Sequence, residues 1–357
     1  MITKNYNVIG VMSGTSLDGT DLAHITLTCT ADAWSFTIHE AETIAYTDDW
    51  VNILKSAIDF DMPALDQLNK EYTVLLSDII SNFIDKYDIK DLDAVCSHGH
   101  TILHRPQDGI TLQIGNLPEI AQMIGQTVVC DFRVQDVQLG GQGAPLVPIG
   151  DRLLFANYNY CLNLGGFSNI SFEENGARAA YDICPVNTVL NFYANNLWLP
   201  YDDGGKIAES GKLIPQLAEE LDDLDFYAAP YPKSLGFEFV KQTVLPLIEK
   251  YANSNEDKLH TFTLHVAKQI ANSINQQGGK GSLLITGGGA YNTFLIETLQ
   301  AHLQYTVIAV PDDKTIQFKE ALIFALLGVL KLRGDVNVLG SVTGAKKDHI
   351  SGVVYTL

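Results

Sequence analysis

The sequence predicts an α/β protein built as two halves, each a mixed sheet flanked by helices. Three observations carry this. Short apolar strand-like runs alternate with helical patterns through the first half. The opening design of apolar strand, glycine-rich polar turn and apolar strand recurs about half a chain later. At 357 residues the chain also exceeds what one hydrophobic core usually supports.

The elements follow in order. Val8–Met12 and Leu22–Leu27 flank a turn of Ser, Gly, Thr and Asp, a hairpin in which Gly14 and Gly19 are free to take φ > 0. Its small residues leave backbone N–H groups unobstructed, so the turn can wrap an anion; a polar hairpin without a ligand is the alternative. Ala33–Glu42 reads as a strand. The stretch from Asp48 to Asp88 reads as helix, with Leu65, Leu68, Tyr72, Leu75, Leu76, Ile79, Ile80 and Phe83 at helical spacing. Asp93–Thr101, Thr111–Ile114 and Thr127–Phe132 are further strands, with a helix Leu117–Gly125 before the last. Gly140–Pro148 is a Gly/Pro-dense loop, a candidate hinge or cleft rim. Tyr160–Phe172 repeats the opening design. Ser282–Asn292 is a buried strand running into Gly287-Gly288-Gly289 and a helix Thr293–Leu303. Such a turn suits a nucleotide, or needs glycine only for packing.

Composition narrows the classes. A net charge of −19 argues against nucleic acid or an anionic membrane surface as partner. No apolar run approaches spanning length and the N-terminus lacks a secretory pattern, so the cytoplasm is the expected location. The five cysteines include no C-x-x-C pair; Cys96, Cys130 and Cys161 lie in apolar runs and are expected to be small buried hydrophobes.

The motifs Gly10-Val11-Met12-Ser13-Gly14-Thr15-Ser16-Leu17-Asp18-Gly19, Ser97-His98-Gly99-His100-Thr101, Asp131-Phe132-Arg133 with Asp136, Gly140–Pro148, Asn163-Leu164-Gly165-Gly166, Gly287-Gly288-Gly289 and Ser341-Val342-Thr343-Gly344-Ala345 carry a resemblance. Over almost its whole length the chain resembles the anhydro-N-acetylmuramic acid kinase family of the sugar kinase, actin and Hsp70 superfamily. The resemblance implies two lobes of the actin-like ATPase (ribonuclease H-like) fold around a central cleft. It implies a first lobe over 1–155, a second over 156–335 and a tail, 336–357, packing back on the body. It also implies ATP and Mg²⁺ as cofactors, a small-molecule sugar as substrate, a homodimer and a place in peptidoglycan recycling. The implied reaction is hydrolytic opening of 1,6-anhydro-N-acetylmuramic acid with phosphorylation of O6, giving N-acetylmuramic acid 6-phosphate.

That chemistry needs a general base beside the anomeric carbon. Asp182 stands at the family's position, expected where a strand turns into the helix Asn187–Trp198; an N-cap is its structural alternative. The resemblance assigns ATP contacts to Gly14, Thr15, Ser16, Leu17, Asp18, Gly19, Thr20 and Asp21. It adds Asn163, Gly165, Gly166 and Asn169 opposite them, and Gly287, Gly288, Gly289 and Asn292 for the adenosine part. Asp18 is the expected acid for Mg²⁺, a turn-forming Asp being the alternative. Sugar contacts fall to His98, His100, Arg133, Asp136 and Glu320. Arg133 suits a carboxylate on the sugar, or is tied to Asp131 or Asp136; Glu320 faces the sugar or solvent. Ile183, Cys184 and Val186 depart from the family pattern after Asp182, and Pro232-Lys233-Ser234-Leu235-Gly236 keeps only part of another motif. An ordinary hexokinase-like sugar kinase and a non-catalytic ATP- or sugar-binding sensor are the rival readings.

Overall fold

The computed structural model describes residues 3–14 and 16–357. Its contacts divide the chain into two compact units, Met1–Leu154 with Phe318–Leu357, and Phe155–Gln317. The chain thus returns to the first unit at Phe318, where backbone φ −110° and ψ 19° interrupt the Asp313–Arg333 helix. The division expected from the sequence, 156–335 for the second half, places this return later, only after residue 335.

In the first unit, β1 (Thr3–Ser13), β2 (Thr20–Thr30) and β3 (Ala33–Ile44) form an antiparallel meander. Then β4 (Ala94–Arg105) lies parallel to β1, β5 (Ile110–Ile114) folds back on β4, and β6 (Val128–Cys130) continues the sheet parallel to β4. The second unit repeats the plan. Its meander is β7 (Tyr160–Leu164), β8 (Phe167–Glu174) and β9 (Ala177–Pro185), followed by the parallel strands β10 (Lys280–Thr286) and β11 (Tyr305–Ala309). A last strand, β12 (Val353–Tyr355), returns to pair with β6 in the first unit. Both sheets therefore run meander strand three, two, one, then the two parallel strands. This duplicated order is the expected actin-like fold class, two mixed sheets flanked by helices.

Packing follows the apolar periodicities. Leu65, Leu68, Tyr72, Leu76 and Phe83 of the Met62–Lys86 helix share one core with Ile9, Val11 and Leu22 of the first sheet. At Gly10 a Cβ would lie 1.9 Å from the Ala321 carbonyl oxygen, so β1 and the Phe318–Arg333 stretch meet backbone to backbone. Only glycine allows that approach.

The structure corrects several local expectations. The Asp48–Asp88 stretch is two helices, Asp48–Ser56 and Met62–Lys86, because Asp61 caps the second by accepting from the Ala64 N–H at 3.0 Å. Pro63 sits in its first turn, where no N–H is needed. In the first hairpin it is Leu17, not Gly14, that takes a positive φ of 63°, alongside Gly19. Asp182 lies inside β9, and the N-cap of the Asn187–Asn195 helix is Val186, so the capping alternative for Asp182 does not hold. All five cysteines are buried, and none of them is in a disulfide. Among the described residues no helix is long and apolar enough to cross a membrane.

Candidate active site

The first unit builds its polar site at the ends of β1 and β4. Ser13 Oγ lies 2.7 Å from His100 Nδ1 and 2.6 Å from the Tyr46 hydroxyl. Tyr46 in turn meets Thr20 Oγ1 at 3.1 Å and the Tyr72 hydroxyl at 2.5 Å. This network props the turn between β1 and β2 from below. Thr20 is consequently fully buried, its hydroxyl engaged by Tyr46, and it is not presented to a ligand. Leu17 closes the turn through its N–H to the Gly14 carbonyl at 3.3 Å and packs on the core. Ser16 and Asp18 are exposed. Thr15 lies outside the described residues.

The two glycines of this turn differ. A Cβ at Gly19, whose φ is 154°, would lie 2.3 Å from the Ile44 carbonyl oxygen, so glycine there serves the fold. At Gly14 the nearest atom to a Cβ would be Ser16 Oγ at 3.5 Å, ordinary contact. The fold does not require glycine at 14; close approach by a ligand would.

His98 and His100 are both buried, and burial pushes His100 down to about 4. His98 is also held well below its ordinary value, by burial and by the Arg133 charge. Arg133 Nε can only donate to His98 Nε2, at 2.8 Å, so the His98 proton sits on Nδ1, which donates to the Gly99 carbonyl at 2.9 Å. With both ring nitrogens engaged, His98 is an internal strut for Arg133, not a group free for sugar. Arg133 donates from Nη1 to the Gly143 carbonyl at 2.6 Å and makes no ion pair with Asp131 or Asp136 among the described contacts. Desolvation lowers it to about 10, opposed by the Glu320 and Asp136 charges, so it stays cationic near neutrality.

Asp136 is fully buried, and its carboxylate accepts from the Gly143 N–H at 2.6 Å and the Thr343 hydroxyl at 2.7 Å. That corrects its expected role: it latches the Gly140–Gly143 loop to the C-terminal segment and has no face for a sugar. Glu320 is exposed, yet desolvation by surrounding atoms raises its pKa, with Arg133 opposing and Asp21 adding to the rise. Asp21, raised by burial and by Asp18 although Thr43 donates to it, completes an acidic group with Asp18 and Glu320. Among the described residues no three His, Cys, Asp or Glu side chains converge into a metal cage.

The second unit aligns its candidates in one row across three strands. Asn163 pairs with Asn169, and Asn169 with Asp182. Their neighbours Leu162, Leu164, Ile170, Tyr181 and Ile183 belong to the core, so the row projects from the opposite face. Between Ser168↔Cys184 and Asn169↔Asp182 the register shifts, leaving Ile183 as an extra residue, a β-bulge beside Asp182. Asp182 Oδ2 accepts from the Leu235 N–H at 2.8 Å, and no group among the described residues hydrogen-bonds Oδ1. Burial raises its pKa above the usual carboxylate range, and the Leu235 N–H offsets part of that.

The Gly165-Gly166 turn is fixed from behind. Val186, Asn187 and Thr188 N–H groups donate to the Gly166, Gly165 and Gly166 carbonyls, and Asn187 Nδ2 reaches the Leu164 carbonyl at 3.2 Å. In the triple glycine, a Cβ at Gly287 would meet Asn163 Oδ1 at 2.6 Å and one at Gly289 would meet Leu164 Cβ at 2.7 Å. Gly288 would meet nothing nearer than 3.8 Å, so packing explains the outer two glycines and leaves the middle one open. Asn292 caps the Thr293–His302 helix, its Oδ1 accepting from Leu295 N–H at 3.0 Å.

Sequence reasoning missed Tyr46, Tyr72, Thr343 and the Leu235 donor. Only the last two lay in motifs that the sequence had singled out.

A duplicated fold with a glycine-bearing turn closing the first hairpin of each unit, and a carboxylate held beside one of them, is that of the sugar-kinase class of phosphotransferases. The profile described as anhydro-N-acetylmuramic acid kinase matches residues 6–357, and the chain belongs to that family. The anhydro-N-acetylmuramic acid kinase of Hydrogenovibrio crunogenus is 33% identical over 97% of either chain. That of Pasteurella multocida is 34% identical over 97% of this chain and 96% of its own. Among solved structures, component A of the Acidaminococcus fermentans (R)-2-hydroxyglutaryl-CoA dehydratase aligns with a TM-score of 0.48 and 15% identity, covering 92% of this chain and 99% of that one.

Proposed function

We propose that this sugar kinase opens the 1,6-anhydro bridge of anhydro-N-acetylmuramic acid with water and phosphorylates the freed O6, Asp182 being the general base. The observation that carries this is the Asp182 carboxylate itself. Leu235 N–H pins one oxygen, the other takes no hydrogen bond, and burial raises its basicity. Water bonds to the anomeric carbon and gives its proton to Asp182. The bond from that carbon to O6 breaks, O6 takes the γ-phosphoryl group, and ADP leaves. The proton is later released to solvent.

ATP's phosphates are met by the turn from Gly14 to Asp18 and by Gly165, Gly166 and the exposed Asn169, and its adenosine part by Gly288. Mg²⁺ would be met by the exposed Asp18, a single hard oxygen donor, since no three carboxylates among the described residues converge on it. Bound there it would neutralise phosphate charge, most of its remaining ligands being phosphate and water. Arg133 would meet the sugar's carboxylate through the guanidinium N–H groups that His98 and Gly143 leave open, with the buried His100 behind it. Such an activity serves peptidoglycan recycling.

Reaction in ¹⁸O-labelled water, analysed before the product hemiacetal exchanges, tests the reading. Label is expected on the anomeric hydroxyl and none on the O6 bridge to phosphorus. An unlabelled anomeric position with phosphorylated sugar would instead mean an ordinary sugar kinase.

A further inference from the structure

The segment Pro232–Gly236, a partial motif match in the sequence, covers the edge beside Asp182. β9 is the last strand of its sheet, so its outer backbone groups have no neighbouring strand. The segment supplies them. The Asp182 N–H donates to the Lys233 carbonyl at 3.0 Å, and the Leu235 N–H returns to Asp182 Oδ2 at 2.8 Å. One strap thus grips both backbone and side chain of the same residue, next to the bulge at Ile183.

The strap has no regular secondary structure of its own, so something else must hold it. Lys233 does. Its ammonium donates to the Phe226 carbonyl at 2.9 Å and the Tyr227 carbonyl at 3.4 Å, and lies 4.6 Å from the Phe226 ring centroid. These carbonyls belong to the short Asp225–Ala228 helix, where a cation complements the C-terminal C=O groups, the Phe226 carbonyl also accepting from the Ala229 N–H at 3.3 Å. No carboxylate pairs with Lys233 among the described residues. The helix is itself tied down: the Tyr227 hydroxyl meets His265 Nε2 at 2.9 Å, and His265 Nδ1 meets Asp222 Oδ1 at 2.7 Å. His265 stands on the long Asn255–Gln276 helix, so the anchor rests on a rigid element.

We propose that Lys233 is a positioning residue for Asp182. By clamping the strap to the Phe226 and Tyr227 carbonyls it keeps the Leu235 N–H on Oδ2, which fixes the carboxylate rotamer and turns Oδ1 toward the incoming water. This rests on the reading of Asp182 as the base. It predicts that losing the clamp damages the chemical step and leaves nucleotide binding intact.

The test compares Lys233→Met, which keeps the length and apolar stem, with Lys233→Arg, which keeps the donor, and with Asp182→Asn. Lys233→Met is expected to fold as the parent does, with kcat lower by about tenfold to 10²-fold, the penalty of a misplaced group, and the ATP KM unchanged. The acidic limb of its kcat/KM profile should move to higher pH, because the N–H that favours the charged carboxylate is lost. Lys233→Arg should recover most of the rate and the parental limb. Parental kcat and an unmoved limb in Lys233→Met, with Asp182→Asn inactive, would overturn the positioning role and leave the base in place. A parental rate in Asp182→Asn would overturn the base reading first. A Lys233→Met variant that does not fold would also overturn the proposal, since the lysine would then serve the fold.

Discussion

Thr343 donates its hydroxyl proton to Asp136 Oδ1 over 2.7 Å, although 207 residues separate the two in the chain. The same carboxylate holds the Gly143 N–H, and the Gly143 carbonyl orients Arg133. A buried acid expected to touch sugar therefore sets the loop that aims the cation expected to touch sugar. Thr343→Val keeps the shape and removes the donor. A loss of about 1–3 kcal/mol is expected, the usual penalty for a buried acceptor left short of a partner. Denaturant titration gives the stability, and the sugar KM should rise with it through Arg133. Unchanged stability would mean that Asp136 does not depend on Thr343.

Gly14→Val and Gly19→Val are expected to fail differently. At 14 the fold has room and phosphate does not, so ATP affinity should drop more than about tenfold, over about 1.4 kcal/mol, in a normally stable protein. At 19 a Cβ meets the Ile44 carbonyl at 2.3 Å, so stability itself should fall. Calorimetry with nucleotide, beside thermal melts, separates the two; undiminished affinity in Gly14→Val would remove this turn from the phosphate site.

The triple glycine divides in the same way. Gly289→Ala pushes against Leu164 at 2.7 Å and should lower the melting temperature. Gly288→Ala meets nothing within 3.4 Å and should melt normally while raising the ATP KM. Equal nucleotide KM values for Gly288→Ala and the parent would leave only packing to explain the motif.

His100 carries a pH dependence of stability. Burial puts its folded pKa near 4, below the unfolded value of 6.5, so between those values the unfolded chain binds the proton and the folded one does not. Stability is then fully present above pH 6.5 and is lost as pH falls toward 4; His98, shifted the same way, extends the loss to lower pH. Unfolding curves from pH 7 to pH 4 should show the decline, and His100→Asn should flatten part of it.

Asp182→Asn keeps size and hydrogen-bonding reach but not basicity. A fall in kcat on the order of 10²–10⁴ is expected, with ATP affinity near the parent's. The parental rate should fall as pH drops through a pKa above the ordinary carboxylate range, since burial raises this one. Rapid-quench kinetics would show it, and a near-parental kcat in the variant would exclude Asp182 from the chemistry.

Local pattern was enough for the hairpins at both openings, the buried strands and the two-halved α/β plan. Apolar period and turn composition act between residues close in the chain. The glycine turns were legible in short runs of residue types, whereas Asp182 was singled out by the family resemblance, its local pattern fitting an N-cap as readily. What each residue does inside the fold was not. His98 spends both nitrogens on Gly99 and Arg133, Asp136 is consumed by Gly143 and Thr343, and Thr20 is buried under Tyr46. Asp182 is held by a segment more than fifty residues downstream, at Leu235. Hydrogen bonds of this kind depend on which distant segments the folded chain brings within about 3 Å, and no local period encodes that. Residue types and spacing therefore settled the plan and the family resemblance, while tertiary packing decided which candidate side chains are spent inside the protein and which retain an open face.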